Sequence, residues 1–571
     1  MQLIKVTTSK FRNLDCEVNL PYPLAIVLGE NNAGKSNLID AIRILLAPRA
    51  GPRFRRWITS DDFAHDGRGI PVTDVFELEA IFGGLGENEQ ARMVTCLAPS
   101  LGDGFGRLRL RAHLRAAGKI DIAWYGGDSL QPEVEAWARE AVTHTYLHPL
   151  RDAAADLRPG RDNRLVDLLT ALAPEGAPSR GEIEHAAVDA NARLSATAAV
   201  IQAKDEVQRR VDAMIGRLFG QQTGLAFSDP RFDRIVSALR ALVGDLAALE
   251  MSENGLGFNN VLYMATLLAA IRNDAEGGLH VLLVEEPEAH LHPQLQDLLM
   301  RYLEREGREG TQVIVTTHSP NFAAAAGVER MSVLARLPGE RRIVARAPAT
   351  FGLSQDALAH LRRFLDVTKA SLLFARAVVL VEGVAEQLLL PAMAERLGLP
   401  LHDAGVTIVN VGGVSFAPFV ALFGTDHLPY RCAVVSDGDP PAAPDEGELA
   451  EGDPLLSATA RGLRDSESEN VHVFLSRRTL EWDLAAAGNW DVLLDALRLL
   501  KPRVAARLEV EHRESEAEER ADALLEAVRD IKGRFAQALT QRLADGAAIT
   551  IPEYLEQAIQ WVTETPAGLT T

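Results

Sequence analysis

The sequence predicts an α/β protein made of two strand-and-helix series, the first interrupted by a helical block and the second followed by a helical region. Three observations carry that expectation. Short apolar runs end in small or charged residues at LAIVLG, VLLVEEP and VIVTTHS in the first series, and at AVVLVEG, VTIVNVGG, CAVVSDGD and VHVFLS in the second. Such runs, alternating with helical stretches, read as buried strands of parallel sheets with crossover helices. Residues 150–225 and the stretch beyond residue 486 turn instead to long Ala-, Leu- and Arg-rich helical patterns with few strand signals.

Taken in order, residues 1–47 alternate in a strand-like way and then enter a glycine loop and a helical pattern. VTDVFELEAIF, LRLRAHL and IDIAWYG add strands between turn residues across 70–125. As a strand, the second of these sets Arg107, Arg109 and Arg111 on one face. Residues 438–454 are rich in Pro, Gly and acids and read as a loop. EVEHRESEAEERADALLEAV reads as a solvated helix face. No fixed-period repeat is present.

The chain has 571 residues, enough for several domains at about 150 residues each. Its composition, 47% hydrophobic and 24% charged, is that of a globular protein with more than one core. The formal charge of −20 argues against coating nucleic acid by bulk charge and leaves room for a local basic groove or for bound metal ions. Cys16, Cys96 and Cys432 lie far apart and match no zinc or disulfide pattern, which suits a reducing cytoplasm. No run of about 18 apolar residues occurs, and MQLIKVTTSKF has no leader-like apolar stretch, so a cytoplasmic protein without membrane contact is expected. With eight lysines in the chain, each placed Lys is informative.

Gly29-Glu30-Asn31-Asn32-Ala33-Gly34-Lys35-Ser36 matches G-x-x-x-x-G-K-[ST] between an apolar run and the helical pattern that begins at Asn37. Its glycines let backbone N–H groups, including those around Asn31 and Asn32, wrap phosphates at a helix N-terminus. Lys35 then reaches the β- and γ-phosphates of ATP, and Ser36 ligates Mg²⁺. Glu285 and Glu286 end a second apolar run. Glu285 suits the Mg²⁺ shell and Glu286 the activation of water, although Asp is commoner than Glu at the first position. His318 ends a third run and can touch the γ-phosphate.

Ser252, Gly255 and Gly257 open another helical pattern. In SENGLG they resemble the signature of ABC-type ATPases, which covers the nucleotide of a partner subunit, so the resemblance implies a head-to-head homodimer. Phe11-Arg12-Asn13-Leu14 resembles the FRN element of the RecF- and SMC-like branch, with Arg12 and Asn13 beside the nucleotide. No glutamine-loop residue stands out, and Asp61 or Asp62 is the nearest candidate. The block at 150–225 is then an insertion, read either as a dimerisation or DNA-facing element or as a plain helical decoration.

In the second series Glu382, with Glu386 one helical turn on, and Asp437 and Asp439 end two strands. Carboxylates at the C-terminal ends of parallel strands converge on one sheet edge. They could hold one or two Mg²⁺ or Mn²⁺ ions, since hard cations take oxygen ligands, and two ions support in-line attack on a phosphodiester. This pair of strand ends resembles the Toprim domain. Glu481 in TLEWDL offers a further carboxylate. Lys532 in KGRFA could neutralise transition-state charge.

With FRNL, GENNAGKS, SENGLG, LLVEEPEAHLHP, TTHSP, LFARAVVLVEGVAE, VGGVSF, SDGD, TLEWDL and KGRFA in this order, nearly the whole chain resembles the OLD (overcoming lysogenization defect) nuclease family, to which the Gabija anti-phage nuclease subunit is related. The resemblance implies an ABC-type ATPase domain at 1–149 and 226–368 with the helical insertion between, then a Toprim domain with a helical C-terminal part at 369–571. It implies a metal-dependent DNA endonuclease or nickase regulated by its ATPase, with a role in phage defence or DNA processing. It makes Glu382, Glu386, Asp437, Asp439 and Glu481 metal ligands and Lys532 catalytic. A helicase partner occurs in some systems of the family. The competing reading is a RecF-like DNA-binding ATPase whose C-terminal acids are structural. A topoisomerase needs a nucleophilic tyrosine that no motif singles out, and a primase usually needs a zinc module that three distant cysteines do not provide.

Overall fold

The computed structural model describes the chain apart from residues 49–54, 67, 132–133, 150–159, 161–163, 216–221, 223, 226, 228, 244–248, 251–254, 273–277, 309–310, 338–341, 414, 440–455 and 565–571. In chain order its strands are β1 (Gln2–Phe11), β2 (Leu14–Asn19), β3 (Leu24–Gly29), β4 (Ala47–Pro48), β5 (Val75–Gly83), β6 (Gly106–Leu114), β7 (Ile120–Gly126), β8 (Val142–Leu147), β9 (Leu242–Val243), β10 (Leu249–Glu250), β11 (Leu279–Glu285), β12 (Thr311–Thr317), β13 (Met331–Arg336), β14 (Ile343–Arg346), β15 (Ala377–Val381), β16 (Val406–Asn410), β17 (Arg431–Ser436) and β18 (Val471–Leu475).

The continuous apolar runs are buried on both faces, as parallel strands require. Every residue of β3 and of β11 is buried. Both lie inside a seven-stranded sheet ordered β14-β13-β3-β12-β11-β8-β4. β12 runs parallel to β3 and to β11, with Thr317 beside Leu28 and Thr316 beside Glu285. The glycine loop, Glu286 and His318 therefore leave the sheet at one edge. Helix α1 (Lys35–Leu45) follows the loop and buries Leu38, Ile39, Ile42 and Leu45, spacings that make one helix face.

An antiparallel sheet ordered β2-β1-β5-β6-β7 accompanies this one. β6 does set Arg107, Arg109 and Arg111 on its less buried face. They stand opposite acids of β5, with Arg107 and Arg109 at 3.6 and 3.9 Å from Glu79 and Arg111 at 3.4 Å from Glu77. Cross-strand pairing of opposite charges accounts for that alternation without a nucleic acid.

The second series forms a parallel sheet ordered β16-β15-β17-β18. The register pairs Val381 with Val435, so Glu382 and Ser436 leave neighbouring strands at the same level. The C-terminal helices are part of this core. Leu389, Val381, Trp482, Phe535, Leu539 and Ile559 belong to one buried cluster. Burial of a side chain such as Phe535 stabilises by about 1.5–3 kcal/mol, and it fixes helix α5 (Lys532–Ala544) by its first turns. Helix α2 spans Leu256–Arg272, α3 Val384–Arg396 and α4 Leu480–Ala486.

The chain divides into two compact units. One comprises Met1–Tyr146, Gly278–Glu288 and Pro293–Thr571, and so holds all three large sheets. Within it Arg376, next to β15, lies 3.4 Å from Glu30 of the glycine loop. Phe351 stacks on His427 at 4.2 Å. The other unit comprises Leu147–Gly277 and Ala289–His292. It is helical, through Arg164–Leu172, Pro178–Ser195, Ala198–Ile215 and α2, with a short β9–β10 pair. Its helical texture extends beyond the expected 150–225 block to include α2. No residue of Pro178–Ser195 is buried. Among the described residues no helix is long and apolar enough to cross a membrane.

Candidate functional site

The glycine loop takes its shape from two close approaches. Gly34 has φ 90°, and a Cβ there would meet Leu14 Cδ2 at 2.5 Å. A Cβ on Gly29 would meet the Leu334 carbonyl at 2.7 Å. Only glycine accepts both the backbone and the space. Lys35 Nζ donates to the carbonyls of Gly29 and Glu30 at 2.7 and 2.9 Å. Burial lowers its pKa, opposed by the nearby Glu286, Glu288 and Glu285. These loop carbonyls hold the ammonium where phosphate oxygens would otherwise take it.

The FRNL element reaches the loop through an irregularity in β1. The register with β2 shifts between Thr8 and Phe11, and Lys10 and Arg12 have φ of 54° and 51°. Such a bulge re-aims the chain. Asn13 donates to the Asn32 carbonyl at 3.1 Å and accepts from Asn37 at 2.6 Å. The Arg12 guanidinium is held by Asn37 at 2.6 Å, Asp62 at 2.8 Å and Asp40 at 3.0 Å. It braces α1 from below. Asp62, fully buried, also accepts from Arg56 and from the Thr59 backbone. Its oxygens are thus committed to protein donors, and Asp61 lies exposed beside it.

Glu285 is 5% exposed at the end of β11. One oxygen accepts from Ser36 Oγ, the other from Tyr146 OH at 2.7 Å. Glu286 follows in the left-handed region at φ 47°, which turns its side chain out of the strand direction. Its carboxylate lies 3.4 Å from His318 Nδ1. Glu288 accepts from Thr317 Oγ1 at 2.6 Å and from the His318 backbone at 3.0 Å, and so anchors the turn that carries His318. The structure thus brings Lys35, Ser36, Glu285, Glu286 and His318 to one edge. Ser252 lies outside the described residues. Gly255 is exposed just before α2, and a Cβ on Gly257 would meet the His290 carbonyl at 2.7 Å. That contact alone requires glycine there.

At the second sheet edge, Glu382 accepts from Ser436 Oγ at 3.2 Å. Glu386 folds back onto the Gly383 backbone N–H at 3.1 Å, capping α3. Asp437 accepts from Ser476 Oγ at 3.3 Å and from the Leu480 backbone at 3.2 Å, at the start of α4. Glu481, 3% exposed, pairs with Lys532 Nζ at 2.9 Å. Burial, together with the charges of Glu386 and Glu382, pushes the Asp437 carboxyl up to about 8. Burial, then Glu481 and Glu382, raises Glu386 as well. The pairing with Glu481 raises Lys532 against the effect of burial. Asp439 is exposed, with φ 41°, beside the undescribed 440–455 segment.

Among the described residues no three His, Cys, Asp or Glu side chains are set closely enough to hold a metal ion as they stand. Each carboxylate leans on a hydroxyl, a backbone N–H or Lys532 instead. Four mutually repelling acids at one buried edge, two with raised pKa, fit a cation as the missing positive charge. Because protons compete with such an ion, half-saturating Mg²⁺ or Mn²⁺ is expected to fall as pH rises from about 6 toward 8, where Asp437 ionises. Asp437→Asn is expected to flatten that dependence. Isothermal titration across this range measures both, and a flat wild-type profile would remove Asp437 from the site.

Sequence reasoning does not find Tyr146, Glu288, Ser436 or Ser476. Nothing in a single chain marks a strand tyrosine or a serine as the partner of a carboxylate far away in sequence.

Comparison with known proteins matches residues 181–323 to an AAA ATPase domain and 373–439 to the "Overcoming lysogenization defect protein-like, TOPRIM domain". An OLD nuclease of Thermus scotoductus is 26% identical over 428 residues, 72% of this chain and 77% of that protein. The Old nuclease of Escherichia phage P2 is 22% identical over 449 residues, 72% of this chain and 73% of its own. Among solved structures, the C-terminal region of the Burkholderia pseudomallei OLD protein is 28% identical over 33% of this chain and 97% of that one, with a TM-score of 0.26.

Proposed function

We propose, for a chain that belongs to the OLD family and carries both its ATPase and its Toprim domain, that it is an ATP-binding, metal-dependent DNA endonuclease or nickase controlled by its ATPase module. The observation that carries this is the edge where Glu382, Glu386, Asp437 and Glu481 meet Lys532. Structural acids would sit apart or be matched by arginines. These share one lysine, and burial with the neighbouring carboxylate charges raises Glu386 and Asp437.

Bound divalent ions, Mg²⁺ or Mn²⁺, would supply Lewis-acid charge to a DNA phosphodiester at that edge. Glu382, Glu386, Asp437 and Glu481 would hold them, with Asp439 at the rim. Ser436, Ser476 and the Leu480 N–H orient the carboxylates. Lys532, which pairs with Glu481 at 2.9 Å, would donate to the phosphate oxygen on which charge develops. At the other edge Lys35 would bind the β- and γ-phosphates of ATP, Ser36 and Glu285 would hold Mg²⁺, Glu286 would serve as the base toward water, and His318 would face the γ-phosphate. Asn13, Asn31, Asn32 and Asn37 shape the loop. The Arg376–Glu30 pair joins that loop to the start of β15, whose other end leads into Glu382.

The protein works in the cytoplasm on DNA, as a homodimer in which Ser252, Gly255 and Gly257 cover the partner's nucleotide. A helicase partner and a role against phage belong to the same reading. The RecF-like alternative keeps ATP and DNA and drops the cutting. A supercoiled plasmid, incubated with Mg²⁺ or Mn²⁺ with and without ATP, separates the two. Metal-dependent nicking or linearisation that is lost in Glu382→Ala is expected, and intact plasmid in every lane would favour the loader.

A further inference from the structure

At the nucleotide edge β11 ends in Glu285. Glu285 has one more methylene and one more rotatable bond than Asp, so its carboxylate is harder to hold in one place. The fold supplies a holder. β8 carries Tyr146 in the same sheet as β11, and the phenol donates to Glu285 Oε2 at 2.7 Å while Ser36 Oγ takes Oε1. The ring is itself fixed, with the Arg43 guanidinium over it at 3.9 Å, and Arg43 is tied to Asp40 at 2.9 Å on α1.

We infer that Tyr146 is a positioning residue for the Mg²⁺–ATP complex. It occupies one oxygen of Glu285, turns the other toward Ser36, and so makes a Glu serve where a shorter acid would reach unaided. This rests on the nucleotide reading of the glycine loop. The metal itself is reached through Glu285 and Ser36. Tyr146 stays outside the ligand set, as an outer-shell donor does.

The test titrates Mg²⁺ against purified full-length protein with a fluorescent ATP derivative, reading binding rather than turnover. In Tyr146→Phe, which keeps the ring on Arg43, the half-saturating Mg²⁺ concentration is expected to rise by about 10-fold or more. Affinity for the nucleotide without metal is expected to stay at the wild-type value. In a Glu285→Asp background the shorter carboxylate no longer depends on the phenol, so Tyr146→Phe is expected to change little there. An equal loss in both backgrounds would mean a merely structural role and overturn the inference, as would an unchanged Mg²⁺ curve in a Tyr146→Phe protein with a wild-type melting temperature. If Tyr146→Phe does not fold, Glu285→Asp alone decides: metal-dependent binding that survives supports a Glu held by its phenol, and complete loss overturns it. A wild-type protein that binds no nucleotide at all would bring down the nucleotide reading itself, an outcome distinct from the others.

Discussion

Replacing Lys532 with methionine is expected to lower DNA cutting by about 100-fold or more while ATP hydrolysis stays at the wild-type rate. The ammonium stands 2.9 Å from Glu481, at the edge that also carries Glu382, Glu386 and Asp437. A donor aimed at developing phosphate charge acts in a partly water-excluded site, and methionine keeps most of the apolar stem without the ammonium. The substitution also removes the cation that compensates Glu481, which is 3% exposed. In the metal-free protein a buried carboxylate is then left without its cation, which costs stability. Divalent metal should restore the melting temperature of Lys532→Met more than that of the wild type. Initial nicking rates on supercoiled plasmid, with melting curves in parallel, measure both effects. Cutting near the wild-type rate would show that Lys532 only neutralises Glu481.

Glu286→Gln is expected to lower ATP hydrolysis by about 100- to 10,000-fold with ATP binding retained. Glutamine keeps the shape of the side chain beside His318, whose Nδ1 lies 3.4 Å from the carboxylate, but it cannot accept a proton from water. Phosphate release under saturating ATP measures the loss, and a fall of only a few-fold would assign the base elsewhere. The same variant decides what ATP does to the nuclease edge. Cutting that still responds to ATP would make binding the controlling event, transmitted past Glu30 and Arg376. Cutting that no longer responds would make hydrolysis the control.

Much of both edges is legible in the amino-acid sequence. The glycine loop, the Glu285–Glu286 strand end and His318 are local patterns, each readable because a buried parallel strand must be apolar and must end where polar chemistry begins. Lys532 and Glu481 are legible for another reason, the scarcity of lysine and the strand-then-acid order of TLEWDL. The arginine ladder at 107–111 reads as one face from its alternation, but its partners Glu77 and Glu79 do not, because strand register is not written in one strand. Arg12 is expected beside a nucleotide, and the fold engages it with Asp40 and Asp62, which come together only when β1 bends at its bulge.

The sequence by itself determined the two kinds of chemistry, phosphate cradle and carboxylate edge, and their order along the chain, since both depend on residues adjacent in sequence. Only the tertiary structure decided which distant groups complete them. Tyr146 meets Glu285 because β8 and β11 are neighbours in one sheet. Lys532 meets Glu481 because Phe535 and Leu539 bury α5 against the second core. Hydrogen bonds and ion pairs fade within a few ångströms, so what a side chain does at these edges depends on distances that only packing sets.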